Sequence, residues 1–215
     1  MPNKIPFSES KFKQLPIVGI VRGIEAEAAK WVAETYLSCG FYTLEITMNT
    51  PGAADIISTL AKEFPELNIG AGTVCNIEDY QKAKNAGSQF MVTPIIDEEV
   101  ISTSVKESIP IFPGAYTPTE IYKAWSLGAT AVKVFPATQL GVKYIKDLMG
   151  PLNSIKLLPT GGVSKENIQS FFKANVYGVG MGGSLLPKEI LASKDLRGLK
   201  GHFQAIKCEI QNFLP

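Results

Sequence analysis

Ala131-Val132-Lys133-Val134-Phe135-Pro136 is the stretch that decides how this chain is read. The run is apolar at nearly every position and Val-rich, which suits a strand buried on both faces, as in a parallel sheet covered by helices. Lys133 stands in the middle of it, so its ammonium is taken out of water at a real free-energy cost. Desolvation disfavours the charged form and draws the pKa down from roughly 10.4, which frees an amine able to attack carbonyls. The same run admits a plainer reading, a lysine at a strand end that snorkels to solvent or pairs with a carboxylate.

Working outward, similar short apolar runs recur at Ile17–Arg22, Thr43–Thr47, Asn68–Thr73, Phe90–Thr93, Ile109–Pro113, Ile155–Pro159 and Val176–Met181. An amphipathic stretch of helical length follows each, the alternation expected of βα units around a parallel sheet. With Ala131–Phe135 the runs number about eight, enough to close a barrel. The expected fold is therefore α/β, a (β/α)8 TIM barrel with an extra N-terminal helix at Ser8–Gln14 and a final helix over about Gly201–Phe213. Gly40, Gly87 and Gly128 each stand after a helical run and before a strand, where a left-handed C′ position favours glycine. Thr117-Pro118-Thr119-Glu120 reads as a capping box with proline at the first helical position, and Ser164-Lys165-Glu166-Asn167 as a weaker version. Connections are short and no linker interrupts them, so residues 1–215 read as a single domain.

Charge and cysteine usage narrow the function classes. Lys and Arg total 21 against 20 Asp and Glu, a net charge of +1, so no global field recruits nucleic acid or anionic lipid. Cys39, Cys75 and Cys208 lie at non-motif spacings and His202 is the sole histidine, which leaves no zinc cage in the sequence. No run of about 20 apolar residues offers a membrane span, and Met1–Pro6 lacks the apolar core of a secretory leader. The expectation is a cytoplasmic protein without a metal or organic cofactor, acting on a small molecule.

In a barrel of this kind functional groups collect at the C-terminal ends of the strands. Arg22 ends the first strand, Glu45 and Thr47 lie late in the second, and Thr73 ends the third. Pro94 follows the fourth, Lys133 and Phe135 close the sixth, Thr160-Gly161-Gly162 follows the seventh, and Gly182-Gly183-Ser184 follows the eighth. Glu45 is the second ionisable group in an apolar run. It reads either as a general acid/base coupled to Lys133 or as half of a plain buried ion pair. The glycines at 161, 162, 182 and 183 leave backbone N–H groups open to an oxyanion at the usual barrel position for phosphate, although tight turns alone also need glycine. Gly178-x-Gly180-x-x-Gly183 matches a dinucleotide fingerprint in form only, since too little chain follows to complete that fold. His202, Lys143 and Lys146 read as helix-surface residues, and nothing in the sequence beside Cys75 suggests an activated thiolate.

Taken together, the ordered blocks Gly19-Ile20-Val21-Arg22-Gly23-Ile24, Leu44-Glu45-Ile46-Thr47, Ile69-Gly70-Ala71-Gly72-Thr73-Val74, Gln89-Phe90-Met91-Val92-Thr93-Pro94, Pro113-Gly114-Ala115-Tyr116-Thr117-Pro118-Thr119-Glu120, Lys133-Val134-Phe135-Pro136-Ala137 and Leu158-Pro159-Thr160-Gly161-Gly162-Val163 resemble one family. It is that of the 2-keto-3-deoxy-6-phosphogluconate (KDPG) and 4-hydroxy-2-oxoglutarate (KHG) aldolases, class I enzymes on a (β/α)8 barrel, and the likeness runs from about Ile17 to Leu186. The resemblance implies a Schiff base on Lys133, proton shuttling by Glu45, and a ketimine walled by Thr73, Pro94, Phe135 and Thr160. It implies a distal phosphate held by Gly161, Gly162, Gly182, Gly183 and Ser184, and a homotrimer. Many members read Leu-Arg-Thr after the Glu-bearing strand and use that arginine on the substrate carboxylate. Here Met48-Asn49-Thr50 stands there, and the resemblance offers Arg22, at the end of the first strand, as an alternative source of positive charge for a bidentate contact to the carboxylate.

The activity expected on these grounds is cleavage of 2-keto-3-deoxy-6-phospho sugar acids, gluconate or galactonate type, to pyruvate and glyceraldehyde 3-phosphate, with 4-hydroxy-2-oxoglutarate as a second substrate. Two alternatives stand beside it. One is another phosphate-binding barrel enzyme, thiamin-phosphate synthase-like or isomerase-like, in which Lys133 acts as a plain charge; the other is a non-catalytic barrel that binds a sugar acid.

Overall fold

The computed structural model describes residues 5–215; Met1 to Lys4, the start of the segment read as lacking a leader, lie outside the described residues. Strands and helices alternate as the apolar runs predict. In chain order they are α1 (Glu9–Gln14), β1 (Ile17–Val21), α2 (Ala26–Ser38), β2 (Thr43–Thr47), α3 (Ala53–Glu63), β3 (Asn68–Gly72), α4 (Ile77–Asn85), β4 (Met91–Val92), α5 (Glu98–Lys106) and β5 (Ile111–Phe112). There follow β6 (Gly114–Ala115), α6 (Pro118–Ser126), β7 (Val132–Val134), α7 (Ala137–Met149), β8 (Leu157–Pro159), α8 (Ile168–Phe172), β9 (Val179–Met181), α9 (Lys188–Ser193) and α10 (Leu196–Ile210), with a 3-10 turn at Gln211–Phe213.

All strand pairings are parallel. One sheet runs β5-β4-β3-β2-β1-β9 and a second runs β6-β7-β8. The second sheet begins where the first leaves off, because β5 and β6 are separated only by Pro113, and Thr160, just past β8, bridges to Gly180 of β9. The break at Pro113 corrects the expectation of one strand over Ile109–Pro113. Proline has no N–H to donate to a ladder, although its carbonyl still accepts from the Lys133 N–H at 2.8 Å. The last strand is also shorter than expected. Tyr177 donates to Leu157 on one side, then Val179 donates to Pro16 on the other, so the chain changes ladder partner around Gly178.

Alternation along the strands sorts residues into two cores. Leu44, Ile46, Ile69, Ala71, Met91, Ile111, Val132, Val134 and Leu157 pack with the helices in the larger cluster. Their neighbours Val18, Phe90, Val92, Phe112, Ala131 and Leu158 form a second cluster with Phe12 of α1. Lys133 shares the parity of Ala131, and Glu45 alternates with Leu44 and Ile46, so both carry their charge on the face of this smaller core. Helix α1 caps its lower end. Ser8 N–H donates to Asn68 Oδ1 at 2.8 Å and Asn68 Nδ2 returns a bond to the Ser8 carbonyl at 2.9 Å. The Phe12 ring lies 5.1 Å from Tyr177 and 6.4 Å from Phe112, centroid to centroid.

Helix punctuation follows the sequence in most places. Gly40, Gly87 and Gly128 adopt φ of 80°, 99° and 94°, and Thr117 and Glu120 form both bonds of the capping box. Two starts differ. Asn167 stands at the N-cap position of α8 without a side-chain cap bond, and its Oδ1 instead accepts from Ser164 N–H, the reverse of a Ser164 cap. Helix α10 begins at Leu196, ahead of the expected Gly201, because Asp195 accepts from Gly198 N–H and secures a first turn whose glycines have low helix propensity. Among the described residues no helix is long and apolar enough to cross a membrane.

Candidate active site

Lys133 and Glu45 are nearly sealed from solvent, at 4% and 1% exposure. Burial lowers the Lys133 pKa; Glu45 opposes that shift, Arg22 adds to it, and Cys75 opposes it weakly. Burial likewise pushes the Glu45 carboxyl up to about 7, with the positive charges of Lys133 and Arg22 pulling it back. Each group is thus drawn toward neutrality by desolvation while partly retained as an ion by the other. Glu45 Oε2 is buried with no hydrogen-bond partner among the described residues. The Lys133 ammonium lies 4.8 Å from the centre of the Phe135 ring, a cation–π contact.

Above Lys133 opens a cavity of about 760 Å³. Of the residues singled out in the sequence it gathers Arg22, Lys133, Phe135, Thr160, Gly161, Gly162, Gly182, Gly183 and Ser184 into one wall. Glu45 and Thr73 are not part of that wall. Pro94 opens onto a neighbouring hollow of about 490 Å³ that shares Phe135 with the first. Thr73 nonetheless carries a signal of its own, since it holds φ at 55°, a left-handed conformation that is strained for a β-branched residue. The Cys75 thiol is pushed up by burial and by Asp79, away from thiolate.

The rim of the cavity is built so that its carbonyls are engaged from behind. Thr138 Oγ1 donates to the Gly161 carbonyl at 2.9 Å, Asn167 Nδ2 to that of Gly162 at 2.8 Å, and Ser184 Oγ to that of Val163. His202 Nε2 lies 2.8 Å from the Ser184 carbonyl. Gly161 and Gly162 hold φ of 85° and 82°, and a side chain at Gly162 would collide with Thr138. With the acceptors so occupied, the N–H groups of Gly161, Gly162, Gly183 and Ser184 donate to no acceptor among the described residues. This leaves a donor-rich concavity suited to an oxyanion.

The wall also holds residues that the sequence did not single out: Ile20, Ile24, Leu186, Leu191, Ser164 and Lys188. Ile20 belongs to β1 and Leu191 to α9, Ile24 and Leu186 lie in the loops that follow β1 and β9, and Lys188 opens a short helix as any solvated lysine does; only the fold brings them to the same cavity.

A family model described as KDPG and KHG aldolase matches residues 8–200. The chain is 32% identical over 197 residues to the KHG/KDPG aldolase of Escherichia coli strain K12, covering 91% of this chain and 92% of that one. It is 35% identical over 174 residues to the 2-dehydro-3-deoxy-6-phosphogalactonate aldolase of the same strain, covering 80% and 85%. The crystal structure of a KDPG aldolase from Legionella pneumophila, with pyruvate captured as a covalent carbinolamine intermediate, superposes with a TM-score of 0.85 at 28% identity, covering 92% of this chain and 96% of that one. On this footing the chain belongs to the KDPG and KHG aldolase family and is an aldolase, a carbon–carbon lyase.

Proposed function

We propose that the cavity cleaves 2-keto-3-deoxy-6-phospho sugar acids to pyruvate and glyceraldehyde 3-phosphate, and 4-hydroxy-2-oxoglutarate to pyruvate and glyoxylate, through an imine on Lys133. The observation that carries this reading is the coupling of two buried ionisable groups, each shifted toward its neutral form: Lys133, in the wall of a cavity rimmed by free N–H donors, and Glu45, buried within reach of its charge.

The neutral Lys133 amine attacks the C2 carbonyl to give a carbinolamine, which loses water to form the protonated imine. Glu45, directly or through one water, takes the proton of the C4 hydroxyl. The C3–C4 electron pair then moves into the imine as the aldehyde departs, leaving an enamine. Glu45 returns a proton to C3, and water releases pyruvate and regenerates the amine. Arg22 holds the substrate carboxylate; Phe135, Thr160, Thr73 and Pro94 enclose the reacting carbons; Gly161, Gly162, Gly182, Gly183 and Ser184 receive the phosphate. The same reading takes the two sheets as one closed (β/α)8 barrel domain, supported by the short Pro113 junction and the Thr160–Gly180 bridge, and the assembly as a homotrimer.

The test is pyruvate release from each substrate by the wild type and by Lys133→Arg. Arginine keeps the charge but forms no imine, so the reading predicts that turnover is abolished. Turnover that survives in Lys133→Arg would favour a barrel enzyme that uses this residue only as a charge.

A further inference from the structure

We propose that Lys188 is the cation that recognises the distal phosphate and so sets the preference for phosphorylated six-carbon acids over the five-carbon dicarboxylate. The inference rests on the aldolase reading above and deepens it.

Three side chains in the cavity wall are cationic, Arg22, Lys133 and Lys188, and none of the wall residues is an aspartate or glutamate. A 6-phospho-2-keto acid brings one carboxylate and a phosphate close to doubly charged at neutral pH. Lys133 is consumed as the imine and Arg22 is matched to the carboxylate beside it. The N–H groups of Gly161, Gly162, Gly183 and Ser184 are neutral donors, which receive an oxyanion without counting its charge. Lys188 supplies the charge that distinguishes a dianion. It is exposed on the same wall as the glycine loops, and it takes part in none of the ion pairs among the described residues, so its ammonium is not committed elsewhere. A lysine serves phosphate as a flexible point charge and needs no fixed bidentate geometry. The five-carbon substrate ends in a carboxylate at C5 and carries no phosphate, so it offers no dianion for Lys188 to read.

The experiment compares wild type, Lys188→Met and Lys188→Arg in kcat and KM for both epimers of the 2-keto-3-deoxy-6-phospho acid and for 4-hydroxy-2-oxoglutarate. Borohydride trapping of pyruvate on each protein runs alongside. The expected result is a loss of about 10- to 100-fold in kcat/KM on phosphorylated substrate for Lys188→Met, carried mainly by KM. Activity on 4-hydroxy-2-oxoglutarate should change less than about twofold, Lys188→Arg should recover most of the loss, and the pyruvyl adduct should form in all three. Equal losses on both substrate types, or none on the phosphorylated one, would overturn the role of Lys188 while leaving the aldolase reading intact. A wild type that forms no pyruvyl adduct would overturn both.

Discussion

The Glu45 carboxylate fills the space that a side chain at position 72 would need: Gly72 stands opposite Thr47 in the β2–β3 register, and a Cβ built on it collides with the Glu45 carboxylate. Glycine at 72 is therefore the condition under which the Glu45 carboxylate keeps its buried position. Gly72→Ala is expected to displace the carboxylate and cost most of the proton-transfer contribution, about 100-fold or more in kcat, while pyruvate still forms its imine. A kcat for 4-hydroxy-2-oxoglutarate cleavage equal to the wild type's would contradict this.

Glu45 also sets a pH dependence. The carboxyl of the free enzyme is pushed up to about 7 by burial, so the base form is lost as pH falls through that value, and kcat/KM should decline on the acid side with a midpoint near it. In Glu45→Gln that limb should vanish along with most of the activity. Rate profiles from pH 5 to 9 decide the matter; an acid limb that persists in the glutamine variant belongs to another group.

Stability should follow the same groups. The folded pKa of Glu45, about 7, exceeds the ordinary value of 4.5, so the protonated form stabilises the fold fully below about pH 4.5 and that contribution is lost as pH rises through 7. Lys133 has the opposite sign: its folded pKa is lowered, so its contribution is present above the ordinary 10.5 and lost as pH falls through the folded value. Around pH 7 to 8 both groups therefore weigh against the fold. The double variant Glu45→Gln with Lys133→Met should be more stable than wild type there by about 1–4 kcal/mol in urea denaturation, and inactive. A double variant less stable than wild type at that pH would show that the pair holds the fold together.

Much of this arrangement is legible in the sequence, for reasons that differ by residue. Lys133 and Glu45 stand out because an ionisable group in an apolar strand has a cost that the local run makes visible. The glycine loops after β8 and β9 stand out because glycine clusters at strand ends mark close backbone approach. Pro113 hid the break in the fifth strand, since an apolar run read by composition does not register a single missing N–H. Asp195 hid the true start of α10 behind two glycines. Lys188 has no local mark at all; its place in the cavity wall is a property of the fold. The positive φ of Thr73 is equally silent, because a threonine after a glycine-rich strand looks like an ordinary strand end.

Helix α1 closes the lower end of the inner core with Phe12, which is fully buried. Phe12→Ala should cost about 3–5 kcal/mol of stability, because the aromatic cluster around it, braced by Asn68 and Ser8, collapses only partly into the void. Urea denaturation measures the loss, and kcat at low temperature should stay near the wild-type value because the ring lies at the end of the strands away from the cavity. A loss below about 1 kcal/mol would show that α1 does not act as a plug.

Arg22 is the wall cation beside Lys133, and Asn49 is exposed in the turn after β2. Arg22→Met should raise KM for all 2-keto acids alike, by about 10-fold or more. Asn49→Arg should shift the ratio of kcat/KM between the gluconate and galactonate epimers. An unchanged ratio would show that the residue at position 49 does not discriminate the epimers.

The most direct measurement is intact-protein mass spectrometry after incubation with pyruvate and borohydride, with Lys133→Ala in parallel. An imine at Lys133 predicts that the wild type gains one reduced pyruvyl group, mapped to the peptide containing Lys133, and that the variant gains none. A folded wild-type protein that gains no mass, or an adduct that persists in Lys133→Ala, would contradict the central claim.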